Sequence, residues 1–126
     1  MKGLRAQRIH IKFGTLWESP LLHVLFTEED EVIVARCLDF TVSSHGESES
    51  KALQSLAEAI KEYILTAIER DALETIIDPA HRKYWRMFNE LEVKQSMNSV
   101  TTSLKHAFSS FSFKDLQQGR LEINYA

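Results

Sequence analysis

The most regular pattern of apolar and polar residues in this chain lies between residues 53 and 68 and predicts a long amphipathic helix. Apolar residues recur there at spacings of three and four: Leu53, Leu56, Ala57, Ile60, Tyr63, Ile64, Ala67 and Ile68. Ser48 can accept a hydrogen bond from an unpaired N–H of the first turn, with Ser50 as the alternative cap. A stripe this long must be covered, and the strands before it are the nearest cover.

Two strands are predicted immediately before the helix. Residues 32–35 form a β-branched-rich run. Leu38, Phe40 and Val42 then alternate with polar residues, as in a strand with one buried face. The polar cluster at residues 43–48 predicts a turn in which Gly46 takes a positive φ.

The remaining segments complete an α+β pattern. Alternation at residues 8–13 predicts a first strand, and residues 21–27 form a hairpin with residues 32–36. Asp78-Pro79 predicts the start of a second helix with an apolar stripe, which residues 95–99 interrupt. Residues 100–111 predict a third helix, with a strand ending left open, and residues 121–125 predict a last strand. We therefore expect an antiparallel sheet of three or more strands packed on one side against helices.

The stretch VARCLDF, a glycine turn and KALQSLAEAIKEYI resemble the HicB-type antitoxin domain over about residues 21–68. Gly46, Glu47 and Ser48 stand at the turn positions of that family. Its helix positions are occupied by Ala52, Leu53, Leu56, Glu58, Ala59, Ile60 and Tyr63. His45 replaces the usual glutamine, Lys51 stands where an acid is common, and the hairpin lacks the family's frequent glycine.

This resemblance implies a partial RNase H-like fold and an antitoxin role. HicB antitoxins cover HicA toxins, which are small, basic ribonucleases resembling double-stranded-RNA-binding domains. Many HicB proteins carry a second, DNA-binding part of the helix-turn-helix or ribbon-helix-helix type. Residues 79–126 match neither motif, so DNA binding through a cryptic motif near residues 95–99 is the weaker expectation.

Length and composition indicate one domain, residues 1–126, with a HicB-like core at about 8–70 and a mainly helical extension at about 71–126. The apolar content of 44% with 26% charged residues is ordinary for a globular protein. One cysteine excludes an internal disulfide and fits a reducing compartment. With no apolar run of membrane-span or signal-peptide length, we expect a cytoplasmic protein with no membrane association.

The net charge of −3 is unevenly distributed. Residues 1–12 carry four bases and no acid, residues 13–78 carry fourteen acids against four bases, and residues 79–126 carry seven bases against four acids. The acids of residues 13–78 have two possible roles. They can simply solvate the surface and cap the helix, or they can attract a basic partner. The candidate partner-binding residues are Glu28, Glu29, Asp30, Glu31 and Glu47.

The sequence contains no recognisable set of catalytic or metal-binding residues. The five histidines are scattered without metal-ligand spacing, and Cys37 has no evident base. Asp39 and Glu58 invite a metal-site interpretation through the RNase H relationship, but two acids do not make a two-metal site. We therefore expect no enzyme activity, no metal and no cofactor. A basic, aromatic segment provides the candidate nucleic-acid residues Arg82, Lys83 and Arg86, although an ordinary solvated helix face explains them better.

Three functional hypotheses follow. The first is a HicB-like antitoxin that neutralises a small basic HicA-like ribonuclease by occlusion. The second is a stand-alone, homo-oligomeric protein of the same fold. The third is a regulator that binds nucleic acid through its C-terminal extension.

Overall fold

The computed structural model describes residues 1–125. The chain divides into two compact units, Met1–Val93 and Lys94–Ala126. The first unit contains strands β1 (Lys2–Ile9), β2 (Lys12–Phe13), β3 (Trp17–Glu18), β4 (Leu22–Glu29), β5 (Val32–Cys37) and β6 (Val42–Gly46), then helix α1 (Glu49–Glu69) and a short 3₁₀ helix (Leu73–Thr75). Helix α2 (Arg82–Phe108) begins in the first unit and ends in the second, which also contains α3 (Phe113–Gln117).

The fold class is α+β, as predicted. Four strands form an antiparallel sheet in the order β1-β4-β5-β6, while β2 and β3 pair separately as a small hairpin. A bulge at Leu4 interrupts the pairing of β1 with β4 and changes which residues of β1 face each side of the sheet.

Helix α1 packs on one face of the sheet through the predicted stripe. Leu22, Val24 and Phe26 of β4 form a buried cluster with Leu56 and Ile60 of the helix. Ser48 is the N-cap, and its side chain accepts a hydrogen bond from the Lys51 N–H at 3.2 Å. Two residues of the predicted stripe, Ala57 and Ile68, are exposed and not buried.

The first half of α2 packs on the opposite face, so the prediction of helices on one side is wrong. Leu25, which points away from the α1 cluster, joins Ala6, Leu38 and Phe88 in a second buried cluster. Two contacts bring β1 to this helix. A Cβ on Gly3 would lie 3.2 Å from Leu91 Cδ1, and Arg8 donates hydrogen bonds from Nε and Nη2 to Glu92 at 2.8 Å each.

The region before α1 also differs from prediction. Leu38–Phe40, predicted as strand, forms the turn between β5 and β6, and Thr41 in that turn has a φ of 54°. Residues 43–46, predicted as turn, pair with β5 as a polar edge strand. Gly46 has no positive φ. It is needed because a Cβ there would lie 2.6 Å from the backbone nitrogen of Ala52.

The C-terminal predictions need four corrections. Residues 78–80 lie outside any helix, with the Asp78 and Ala80 N–H groups donating to Asp39 O and Leu38 O, so α2 begins at Arg82 and not at Pro79. The helix continues through residues 95–99 without a break. Residues 113–117 form a short helix capped by Ser112, whose hydroxyl accepts a hydrogen bond from the Asp115 N–H. Residues 121–125 are neither helix nor strand.

Candidate functional site

The predicted acidic turn is the tip of the hairpin between β4 and β5. Glu29 pairs with Val32, so only Asp30 and Glu31 connect the strands. Their φ angles are 51° and 66°, and two positive φ values are characteristic of the type I′ turn. Glu28, Asp30 and Glu31 are all exposed at this tip.

Unlike Glu28, Asp30 and Glu31, Glu29 is not free to contact a partner protein. Its Oε2 lies 2.9 Å from Arg36 Nη2, and Arg36 Nη1 donates to Thr27 Oγ1 at 2.9 Å. The Arg36 guanidinium also lies 4.6 Å from the ring centre of Tyr84 in α2. Glu29 therefore helps to hold the sheet against α2, and we exclude it from the candidate contact surface.

Strand register brings Glu47 to the same end of the sheet as the hairpin tip. Glu28 pairs with Ile33, and Ile33 pairs with Gly46, the residue before Glu47. We define the acidic end as Glu28, Asp30, Glu31 and Glu47. Asp30 and Glu31 form the hairpin turn, Glu28 lies near the end of β4, and Glu47 lies just before the N-cap of α1.

Some cations border the acidic end. Lys51 Nζ lies 3.3 Å from Glu47 Oε2, but the Glu47 side chain remains 89% exposed. Arg5 Nε lies 3.2 Å from Glu49 Oε1, and Lys2 stands opposite Glu28 in the register of β1 and β4. Because surface ion pairs of this kind are weak and screened, the carboxylates stay available to a basic partner.

The predicted nucleic-acid residues lie on the first two turns of α2. Arg82, Lys83 and Arg86 are exposed, and Lys83 Nζ lies 4.9 Å from the ring centre of Tyr84. Arg36 and Lys83 both contact Tyr84, and the ring is only partly exposed. Tyr84 is therefore poorly placed to stack on a base, as aromatic recognition of single strands requires.

Sequence reasoning missed a cluster formed by His23, Cys37 and Asp39. Asp39 Oδ2 accepts a hydrogen bond from the His23 N–H at 2.7 Å, and Oδ1 lies 3.1 Å from His23 Nδ1. Cys37 Sγ lies 3.9 Å from Asp39 Oδ2. No sequence signal predicts the cluster, because the β4–β5 register and the turn after β5 bring the three residues together.

This cluster is arranged for structure and not for nucleophilic catalysis. Asp39 contacts both the thiol and the imidazole, so the histidine is not placed to take the thiol proton. Cys37 is fully buried, and burial is the main reason that its pKa is raised to about 11. The nearby Asp39 charge raises this pKa further, so the cysteine remains a protonated thiol at neutral pH.

An apolar groove lies at the other end of the first unit. It has a volume of about 520 Å³ and is lined by Phe13, Leu22, Phe40, Ile64 and neighbouring apolar residues. Part of the lining is exposed: Leu16, Trp17, Leu65, Ile68, Leu73 and Ile77. Leu22 and Glu28 lie near opposite ends of β4, so roughly 20 Å of strand separates groove and acidic end. The spacing of Ile68 predicts a core position, so the sequence pattern does not reveal the groove that this exposed side chain lines.

Residues 1–125 offer neither a metal centre nor a membrane-spanning helix. They contain no group of three or more His, Cys, Asp or Glu side chains placed to hold a metal ion; Asp39 is bound to His23, and Glu58 is exposed on α1. Within the same residues, no helix has the length and apolar character needed to cross a bilayer.

Comparison with known proteins does not place the chain in a family. No family model matches it, and neither a curated protein nor a solved structure is significantly similar to it.

Proposed function

We propose that this protein is a HicB-like antitoxin, with a partial RNase H-like core, which neutralises a small basic HicA-like ribonuclease by covering it. The observation that carries the proposal is the acidic end, where strand register gathers Glu28, Asp30, Glu31 and Glu47. A concentration of carboxylates at one end of a protein attracts a basic protein and repels nucleic acid. The resemblance of residues 21–68 to the HicB domain supports the same partner class.

The proposed mechanism is binding without chemistry. The buried, protonated Cys37 is unsuited to nucleophilic attack. The exposed carboxylates are suited to long-range attraction, since opposite charges accelerate association before contacts form. The antitoxin would then act by excluding RNA from the toxin surface.

The test begins with capture of the tagged protein from its native cell, to ask whether a small basic ribonuclease is retained. An adjacent reading frame encoding a short basic chain identifies the candidate to express. Co-expression should relieve its toxicity. Association should slow by roughly tenfold between low and moderate salt, because electrostatic steering is screened.

A charge-matched pair of variants separates the acidic end from general acidity. Reversing Glu28, Glu31 and Glu47 to Lys should lower the association rate more than it raises the dissociation rate. Reversing Glu58, Glu62 and Glu69, which are exposed on α1, changes the net charge equally and should have the smaller effect. Equal effects from the two triple variants, or capture of no basic ribonuclease, would refute the proposal.

The second candidate function is a stand-alone homo-oligomer of this fold. The apolar groove favours it, because a large exposed apolar surface commonly marks an interaction site. A regulator that binds nucleic acid through Arg82, Lys83 and Arg86 is the third candidate. The shared contacts of Tyr84 with Arg36 and Lys83 weigh against it.

A further inference from the structure

Helix α2 carries two apolar stripes that differ in phase. Tyr84, Phe88 and Leu91 form the stripe that joins the buried cluster against the sheet. At 3.6 residues per turn, Met97, Val100 and Leu104 fall about half a turn away from that pattern. We call these three residues the outer seam. They are 64%, 57% and 51% exposed.

The outer seam has the spacing of a coiled coil. Met97, Val100, Leu104 and Ala107 follow intervals of three, four and three residues, which form the narrow a and d stripe through which two helices pack. The wider stripe of α1, by contrast, is the kind that covers a sheet. This spacing therefore indicates a helix as the partner of the outer seam.

The composition of this part of α2 indicates that packing, and not intrinsic propensity, maintains the helix. Residues 95–104 contain no charged residue, and seven of the ten are Ser, Asn, Val or Thr. These residue types favour helices less than Ala, Leu, Glu or Lys do. All of these residues are exposed in the structure, although a helix without strong propensity requires a packed apolar face.

We propose that two copies of this chain pair through the outer seam, with Met97, Val100 and Leu104 of one copy packed against the same residues of the other. The residues flanking the seam allow a second copy to be this partner. Ser96, Thr101 and Ser103 occupy the positions where coiled coils carry the charges that select partners. Because they are uncharged and small, identical helices meet without like-charge repulsion and can approach closely.

The available apolar surface is of the size that such a pair requires. Seven exposed large apolar side chains lie between Met97 and Leu116. All seven together would bury on the order of 700 Å² per copy, near the ~800 Å² per partner of a stable interface. The interface therefore extends beyond the outer seam to Phe108 at the end of α2 and to Phe111, Phe113 and Leu116 after it. The inference does not depend on the antitoxin proposal, since the outer seam and the acidic end share no residue.

Light scattering and sedimentation of the full-length chain over a range of concentrations test the pairing. Wild type should be a dimer at micromolar concentration, and Val100→Glu should be a monomer. Thr102→Glu introduces the same charge two residues away, outside the seam, and should remain a dimer. Leu16→Glu, which alters the groove instead, should also remain a dimer. Far-ultraviolet circular dichroism of the full-length variants should show that the sheet remains folded in all three.

Cross-linking provides a second measurement that does not rely on disrupting the protein. Val100 lies near the middle of the seam, so Val100→Cys should form an intermolecular disulfide on mild oxidation whether the helices run parallel or antiparallel. Thr102→Cys should not. A monomeric wild type, a Val100→Glu variant that remains dimeric, or a dimer broken by Leu16→Glu alone would each overturn the inference. The last result would assign the interface to the groove.

Discussion

Gly46 lies so close to Ala52 that a Cβ on the glycine would stand 2.6 Å from the alanine backbone nitrogen. The neighbouring carbonyl carbon of Lys51 would be 2.9 Å away. The last residue of β6 therefore passes directly against the first turn of α1. Because the obstacle is backbone, no side-chain rotation can make room, and the junction that positions Glu47 depends on this glycine.

Gly46→Ala should consequently lower the free energy of unfolding by about 1–3 kcal/mol, the cost of forcing atoms into a packed site. Gly3→Ala is the matched control. Its new Cβ would meet the side-chain ends of Leu91 and Met87 at 3.2 and 3.4 Å, and these can move. Urea unfolding should show the smaller loss for Gly3→Ala. Equal losses would mean that β6 and α1 can separate at little cost.

The hairpin tip provides a prediction of opposite sign. Asp30 and Glu31 both have positive φ, a conformation that Asn-Gly adopts more easily. Replacing the pair by Asn-Gly should stabilise the protein by about 1 kcal/mol. Asp30→Asn with Glu31→Gln removes the same charges and also places Asn at position 30, but it keeps a Cβ at position 31, where the positive φ favours glycine. If both double variants melt at the same temperature, charge repulsion and not backbone strain limits this turn.

The parts of the fold predicted from sequence were those determined by neighbouring residues. The spacing of Leu56, Ile60 and Ile64, together with the Ser48 cap, was sufficient to predict α1. The β4–β5 hairpin was also predicted, because both strands are apolar and adjacent. In each case the signal and the structure lie within the same short segment.

The errors arose where distant contacts override local patterns. Leu38 and Phe40 alternate like strand residues, but they fill clusters on opposite faces of the sheet while the backbone between them turns. Strand β6 lies at the edge of the sheet and is polar. Its composition is therefore that of a loop, which is why the sequence predicts a turn there. The sequence predicts a break in α2 near residue 95, because the apolar pattern changes phase there, but the helix continues to Phe108.

The candidate site was partly predictable for the same reason. The carboxylates of the acidic turn are evident in the sequence, and the charge pattern also indicates Glu47 as a candidate. Register across three strands is what places Glu47 beside them. Glu29 forms an ion pair with Arg36 on the returning strand, and the Arg36 guanidinium also contacts Tyr84 on α2. No single segment of the sequence predicts this set of contacts.

Helix α1 has one face buried against the sheet and one face exposed, and substitutions on the two faces should differ in their effect on stability. Leu56 is fully buried against the sheet, so Leu56→Ala should cost about 2–5 kcal/mol through lost burial and the cavity left behind. Glu62→Ala, on the exposed face of the same helix, should change stability by no more than about 0.5 kcal/mol. Denaturant melts that ranked the two variants the other way would contradict the packing of α1 described here.

The ion pair between Arg8 and Glu92 predicts a pH dependence on the acid side. The hydrogen bonds from Arg8 lower the pKa of Glu92. A lowered carboxyl pKa stabilises the folded state above the ordinary Glu pKa of about 4.3, and this stabilisation is lost as the pH falls through the lowered value. The stability difference between wild type and Glu92→Gln should therefore be present at pH 7 and shrink below about pH 4. Glu90→Gln is the control at an exposed position of the same helix, and a difference that persists at pH 2 would rule out the ion pair as its source.

Burial of Cys37 predicts a thiol that reacts only when the protein unfolds. With its pKa raised to about 11, only about one thiol in a thousand is ionised at pH 8, and the reactive thiolate is correspondingly scarce. A disulfide reagent should label the native protein slowly, at a rate that urea increases through the unfolding transition. Ser43→Cys combined with Cys37→Ala places one thiol at an exposed position of β6 and should react at once. Native Cys37 that reacted as rapidly as this surface thiol would be accessible, and a nucleophilic role for it would then have to be considered again.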